Sequence, residues 1–149
     1  MTASASTIRQ FEVKAESAPV FGRVLVTARN HHMVVDGPVY NGCPGEAVTP
    51  PELFLSAVAT CGVELMHVIA RDENIPVQNV SIVVEGIVDR DRQPHGNITV
   101  FNSVRLRARL RGVTRVQAAT LVEGFQRRCP IFGTISAGAV EVSVEYEVE

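Results

Sequence analysis

Residues 49 to 74 read TPPELFLSAVATCGVELMHVIARDEN, and they restrict the possible folds more than any other stretch of the chain. Thr49 is placed to cap a helix, Pro50 suits its first position, and Glu52 follows three residues after the cap. The spacing predicts one helix from Pro50 to about Asp72, with Asn74 and Pro76 as stop signals. At about 1.5 Å per residue it is roughly 35 Å long. From Leu53 to Val63 only the small polar residues Ser56 and Thr60 interrupt the apolar run. A helix apolar nearly all round must be covered on most sides. Cys61 sits in its middle, so the rest of the chain must wrap the helix and provide surroundings for a thiol.

Three strands are expected before this helix. Arg9 to Glu16 alternates, with Phe11, Val13 and Ala15 against Glu12, Lys14 and Glu16. Phe21 to Ala28 and His31 to Val35 follow, separated by an Arg29-Asn30 turn. Asp36 to Val48 is rich in glycine and proline, reads as a loop and carries Cys43. After the helix, Val80 to Val88 is a nearly continuous apolar run, expected to be covered on both faces. Asp89 to Asn97 reads as a hairpin loop.

Ile98 to Arg111 is the clearest strand. Val100, Val104, Leu106, Ala108 and Leu110 alternate with Arg105, Arg107, Arg109 and Arg111. Val140 to Val148 complements it, with Glu141, Glu145, Glu147 and Glu149 on its outer face. Facing opposite charges contribute about 0.2–1 kcal/mol per pair, so a solvated face paired with glutamates is expected, with a polyanion site as the rival reading. Thr114 to Arg128 is a second helix with a Thr114–Gln117 capping box, ending at Cys129-Pro130. Ile131 to Gly138 reads as irregular. No linker divides the chain, so one α+β domain over residues 1–149 is expected.

The formal net charge is −2, and no basic block or aromatic-basic interleaving marks a nucleic acid surface. Glu64, His67 and Arg71 interrupt the helix that comes closest to a membrane span. MTASAST lacks a charged-then-apolar leader, which points to the cytoplasm. There, three cysteines suit thiol, redox or metal chemistry better than a structural staple. His31 and His32 point to opposite faces of a strand, and His67 and His95 are scattered, so no zinc spacing is present.

Cys61 lies mid-helix, where the helix dipole gives a thiolate no help; as a small buried hydrophobe it would need none. Cys129 lies at a helix end that disfavours a thiolate, with Arg127 and Arg128 beside it as an offset. It too reads equally as a packing residue.

Thr49-Pro50-Pro51-Glu52-Leu53, leading into Ala59-Thr60-Cys61, resembles the first signature of the OsmC-like family, which includes organic hydroperoxide resistance proteins. Arg127-Arg128-Cys129-Pro130 resembles the second, and Ile75-Pro76-Val77 with the following strand fits the layout between them. The resemblance spans essentially the whole chain. It implies an α+β fold, an intertwined homodimer with sites at the interface, and a cysteine peroxidase without metal or organic cofactor. Cys61 would attack an organic hydroperoxide and become a sulfenic acid, and Cys129 would resolve it as a disulfide, returned to thiols by a dithiol reductant. The alternative is a non-enzymatic relative that binds a small apolar ligand at the dimer interface.

The sequence departs from the hydroperoxide-reducing branch at Pro51, where that branch has a glutamate; Glu52 is the neighbour, and its capping role with Thr49 is sufficient by itself. That branch also uses an arginine from the N-terminal strands, for which Arg23 and Arg29 are the candidates. Lowering a thiol pKa by two units needs about 2.7 kcal/mol. One cation at ~4 Å supplies about 4 kcal/mol at an effective dielectric of 20, so a single arginine is enough. Glu64, one turn from Cys61, would oppose it if it faced the thiol. The preferred reading places Glu64 with Ser56, Thr60, His67 and Arg71 in a polar stripe, paired with His67 or Arg71. Cys43 is read as a bystander thiol, with alternative resolution of Cys61 as its rival role.

Overall fold

The computed structural model describes residues 7–138 and 141–149. It divides into two compact units, Met1–Leu53 and Phe54–Glu149.

In the first unit, β1 (Lys14–Ser17), β2 (Arg23–Ala28) and β3 (His31–Asp36) form an antiparallel meander in that order. The register sets Lys14 opposite Thr27 and Arg23 opposite Asp36. The expected Arg29-Asn30 turn is present, with Arg29 at φ 55°, in the left-handed region that few bulky residues enter. The first strand begins later than its alternation suggests. Arg9 to Val13 have no paired edge in this sheet, and Phe11 and Val13 are exposed. The loop after β3 closes back on it, with the Asp36 N–H donating to the Val48 carbonyl at 3.1 Å.

The helix α1 (Pro50–Asp72) starts and stops where its punctuation placed it. By length and composition it could cross a membrane. Its Val58, Gly62, Met66, Ile69 and Ala70, however, are buried in a protein core. That core belongs to the second unit. It is built from α1, a sheet in the order β4-β5-β6, and the helices α2 (Arg115–Arg128) and α3 (Pro130–Ser136). Two glycines set the packing distances. A Cβ on Gly62 would stand 2.5 Å from Ile82 and 3.4 Å from Phe125, and one on Gly124 would stand 2.8 Å from Ile69. Phe125 packs tilted against Phe132, with ring centroids 5.1 Å apart.

The strand β4 (Asn79–Ile87) pairs antiparallel with β5 (Ser103–Arg111), and β5 pairs in parallel with β6 (Glu141–Val148). The crossover from β5 to β6 carries α2 and α3, as a parallel pair requires. Val140, expected to open the last strand, lies outside the described residues.

Further expectations are corrected, and the strand expected from Ile98 begins at Ser103. The run in β4 is covered on one face only. Val80 is buried and Ile82 and Val84 half-buried, while Val83 is 55 % and Ile87 58 % exposed. Ser81 and Glu85 share that outer face, so β4 is a half-solvated edge strand. Residues 131 to 138, expected to be irregular, begin within a helix, α3, whose first residue is Pro130. A proline there needs no N–H and already has the right φ.

The arginine row behaves as a solvated face. Val104, Leu106, Ala108 and Leu110 are buried beneath it. Arg107 makes two bonds to Glu85, at 2.7 and 3.0 Å, and Arg109 lies 3.5 Å from Glu147. Arg107 thus takes a diagonal partner on β4 in preference to Glu145, which stands opposite it on β6. The paired Arg107 guanidinium holds the Glu85 carboxyl below its usual range.

Candidate active site

Cys61 and Cys129, 68 residues apart, are joined by a disulfide, with their Cα atoms 6.5 Å apart. Cys61 projects from the middle of α1 and is half-buried. Cys129 is 2 % exposed.

Cys129 belongs to two helices at once. Its N–H donates to the Phe125 carbonyl at 2.9 Å, closing α2. Its sulfur accepts the Phe132 N–H at 3.3 Å, capping α3. The sequence showed only the first role, because Cys-Pro reads as a stop. The same dipeptide is also a start, since proline is favoured at the first position of a helix. The capping box on α2 is complete: Gln117 N–H donates to the Thr114 hydroxyl at 3.2 Å, and the Gln117 carbonyl oxygen accepts the Thr114 N–H at 2.9 Å. It fixes where α2 starts, and so where Cys129 falls.

Glu52 lies in the first turn of α1. One of its oxygens accepts both the Thr49 hydroxyl, at 2.7 Å, and the Thr49 N–H, at 2.8 Å. The hydroxyl first, and the N–H behind it, hold the Glu52 carboxyl below its usual range. Glu64 is exposed on α1, and among the described residues no hydrogen bond or ion pair holds it. The expected pairing with Arg71 is not formed, because Arg71 turns to its neighbour Asp72 at 2.8 and 3.1 Å. Asp72 also meets Arg128 at 3.8 Å. Thr60 returns its hydroxyl to the Ser56 carbonyl at 2.8 Å.

The first unit contains a charged centre that the sequence reading missed. Asp36 is fully buried. Its carboxylate accepts two bonds from Arg23, at 2.8 and 2.9 Å, and the N–H groups of Glu46 and Ala47 at 3.0 and 3.1 Å. Arg23 also meets Glu46 at 2.7 Å. Arg23 pulls the Asp36 pKa down to about 2, against the cost of burial, and the two loop N–H groups add to the effect. The signal available was an aspartate at the inward end of a strand, just before a glycine-rich loop. Arg23 therefore faces two carboxylates, whereas Arg29 lies exposed at the β2–β3 turn.

Cys43 is a free, half-buried thiol in the loop. A Cβ on Gly22 or Gly37 would collide with its side chain, so these two glycines make its room. Gly22 takes φ 75°, which suits glycine alone among common residues, and its carbonyl accepts the Gly37 N–H at 2.7 Å.

A half-buried cysteine on a long central helix, cross-linked to a buried cysteine between two later helices in an α+β frame, defines a cysteine-pair protein. The family profile described as OsmC-like protein matches residues 43–145, and the chain belongs to that family. No curated protein matches the sequence. Among solved structures, an OsmC-like protein from Mycoplasma pneumoniae is similar, with a TM-score of 0.82 and 13 % identity over 94 % of this chain and 97 % of that one. An organic hydroperoxide resistance protein OsmC from Legionella pneumophila gives 0.74 and 22 % over 95 % and 99 %. An organic hydroperoxide resistance protein from Elizabethkingia anophelis, with thiocyanate bound, gives 0.74 and 19 % over 95 % and 99 %. At these identities the likeness establishes the fold.

Proposed function

We propose that this protein is a thiol-dependent peroxidase that reduces organic hydroperoxides. The observation that carries the reading is the cysteine pair, in which Cys61 is half-buried and Cys129 is buried. The Cys61 thiolate attacks the terminal peroxide oxygen. The O–O bond breaks, the departing alkoxide takes up a proton from solvent to leave as the alcohol, and Cys61 becomes a sulfenic acid. The Cys129 thiol then displaces water from that sulfur to form the disulfide. A dithiol reductant restores both thiols and is itself oxidised by two electrons.

The two units act together as one OsmC-like domain in a homodimer. Two features support this: only 28 % of the most apolar window of α1 is buried, and Phe11, Leu25, Met33 and Val34 are exposed on or beside the first sheet. A cytosolic setting supplies the dithiol pool. The second reading, a non-enzymatic binder of an apolar ligand, draws on one observation: Arg23 is already matched by Asp36 and Glu46.

Turnover of cumene hydroperoxide with dithiothreitol separates the two readings. Cys61→Ser is expected to fall to the uncatalysed rate. Without dithiothreitol, Cys129→Ser is expected to consume one equivalent of peroxide and to leave Cys61 oxidised, read by mass spectrometry. Wild-type turnover in Cys61→Ser would end the peroxidase reading.

A further inference from the structure

Either sulfur of a disulfide is open to a thiolate in principle, and the choice decides which cysteine leaves. We infer that the dithiol reductant attacks the Cys61 sulfur and that Cys129 is the leaving thiolate. The inference rests on the peroxidase reading, which is what brings a dithiol to this site.

The argument starts from trajectory. A thiolate displaces a disulfide sulfur along the S–S axis, from the side away from the leaving group. Attack on Cys129 would need a path through the space behind its sulfur. Cys129 is 2 % exposed and sits within the buried cluster that includes Phe125 and Phe132. No thiol fits there without opening the core. Cys61 is half-buried on α1 and is the less enclosed of the two cysteines, so attack on its sulfur is the path that leaves the core closed. Leaving-group acidity pulls the other way, because the more acidic thiol leaves faster and a peroxidatic cysteine is expected to be the more acidic. That preference only scales a rate for a sulfur that can be reached, so access decides.

The departing sulfur also has a partner waiting. The Phe132 N–H points at the Cys129 sulfur at 3.3 Å. As the S–S bond breaks, its electron pair moves to Cys129, and this N–H is a fixed donor to the new thiolate. A hydrogen bond to an ionised acceptor is roughly twice as strong as a neutral one. Phe132 is thereby assigned a backbone positioning role. The step leaves a mixed disulfide between the reductant and Cys61. The second thiolate of the dithiol then attacks the reductant's own sulfur in that bond. A cyclic disulfide forms, Cys61 leaves as a thiolate, and Cys129 takes up a proton.

A monothiol halts the sequence at the mixed disulfide and so reports the choice. The full-length chain carrying Cys43→Ser is oxidised with diamide, which needs no peroxidase activity. It is then treated briefly with N-acetylcysteine and quenched with excess N-ethylmaleimide, and the unreduced peptides are mapped by mass spectrometry. The expected product has N-acetylcysteine on Cys61 and maleimide on Cys129, in ~10-fold or greater excess over the reverse, since exchange depends on which sulfur is accessible. The reverse product in excess, a comparable mixture, or a disulfide inert to the monothiol would each overturn the inference. Cumene hydroperoxide turnover by the same variant, not oxidised with diamide, tests the peroxidase reading separately.

Discussion

In the N-terminal unit the side chain most completely withdrawn from solvent is a carboxylate, Asp36; in the C-terminal unit the largest is the phenyl ring of Phe125. The first unit has little apolar interior, with Val26 and Val35 as its buried aliphatic residues. It is tied by directional bonds to one charged atom group, and those bonds fix a loop. The second unit is held by a contiguous apolar cluster running through α1, three strands and two helices, and the cross-linked cysteines are part of it. A charged tie specifies position sharply and is sensitive to protons. An apolar core is insensitive to protons and sensitive to volume. The cysteine pair sits in the kind of surroundings that keep sulfurs at a fixed spacing while the charge on them changes.

The largest expected effect is therefore one of volume in the second unit. Phe125→Ala removes a fully buried ring that touches both Phe132 and the space beside Gly62. It should cost about 3–5 kcal/mol, read from urea unfolding of the reduced protein. A loss under about 1 kcal/mol, typical of a surface change, would show that the core does not carry this unit.

The second effect is protonic and belongs to the first unit. The folded Asp36 pKa, about 2, lies below its ordinary value of 3.8. The native state then binds fewer protons than the unfolded chain between these values. The stabilisation from Asp36 is fully present above the ordinary pKa and is lost as pH falls through the folded one. Amide proton shifts of Glu46 and Ala47, which donate to Asp36, should titrate with a midpoint near the same value of about 2, and Asp36→Asn should flatten the curve. A midpoint at the ordinary value would mean that the tie to Arg23 is not made in solution.

The smallest effect is expected at Glu64, where the comparison sharpens to one residue of α1. It is exposed and unpaired among the described residues, so Glu64→Gln should change unfolding free energy by no more than ~0.5 kcal/mol. The pH profile of peroxide reduction should keep its thiol midpoint. A displacement of about one pKa unit, worth about 1.4 kcal/mol, would place this carboxylate against Cys61 after all.

What could be read from the sequence follows the same division. The frame of α1 was legible because Thr49, Pro50, Asn74 and Pro76 act locally, and the inward residues of β5 because alternation is local too. The Cys61–Cys129 pairing lay beyond local rules and came from the resemblance alone. Asp36 was hidden because a buried carboxylate depends on partners 10, 11 and 13 residues away. α3 was hidden because Pro130 serves two helices, and one signal cannot be spent twice in a left-to-right reading. The half-exposed state of β4 depends on which faces are covered, which is a property of the assembled sheet.

The two glycines at the helix contacts act as a mechanical tolerance on the redox chemistry. Disulfides span Cα separations of about 4.4–6.8 Å, and this pair stands at 6.5 Å. Little clearance is left. At the contacts of α1 with β4 and α2, Gly62 and Gly124 present hydrogens where a methyl group would press on the Cδ1 ends of Ile82 and Ile69. A chain that gained a methyl at either contact could keep its hydrophobic pattern and still place its two sulfurs on parts that no longer meet. The glycines thus act as gauge blocks for a cross-link to which they contribute no atom.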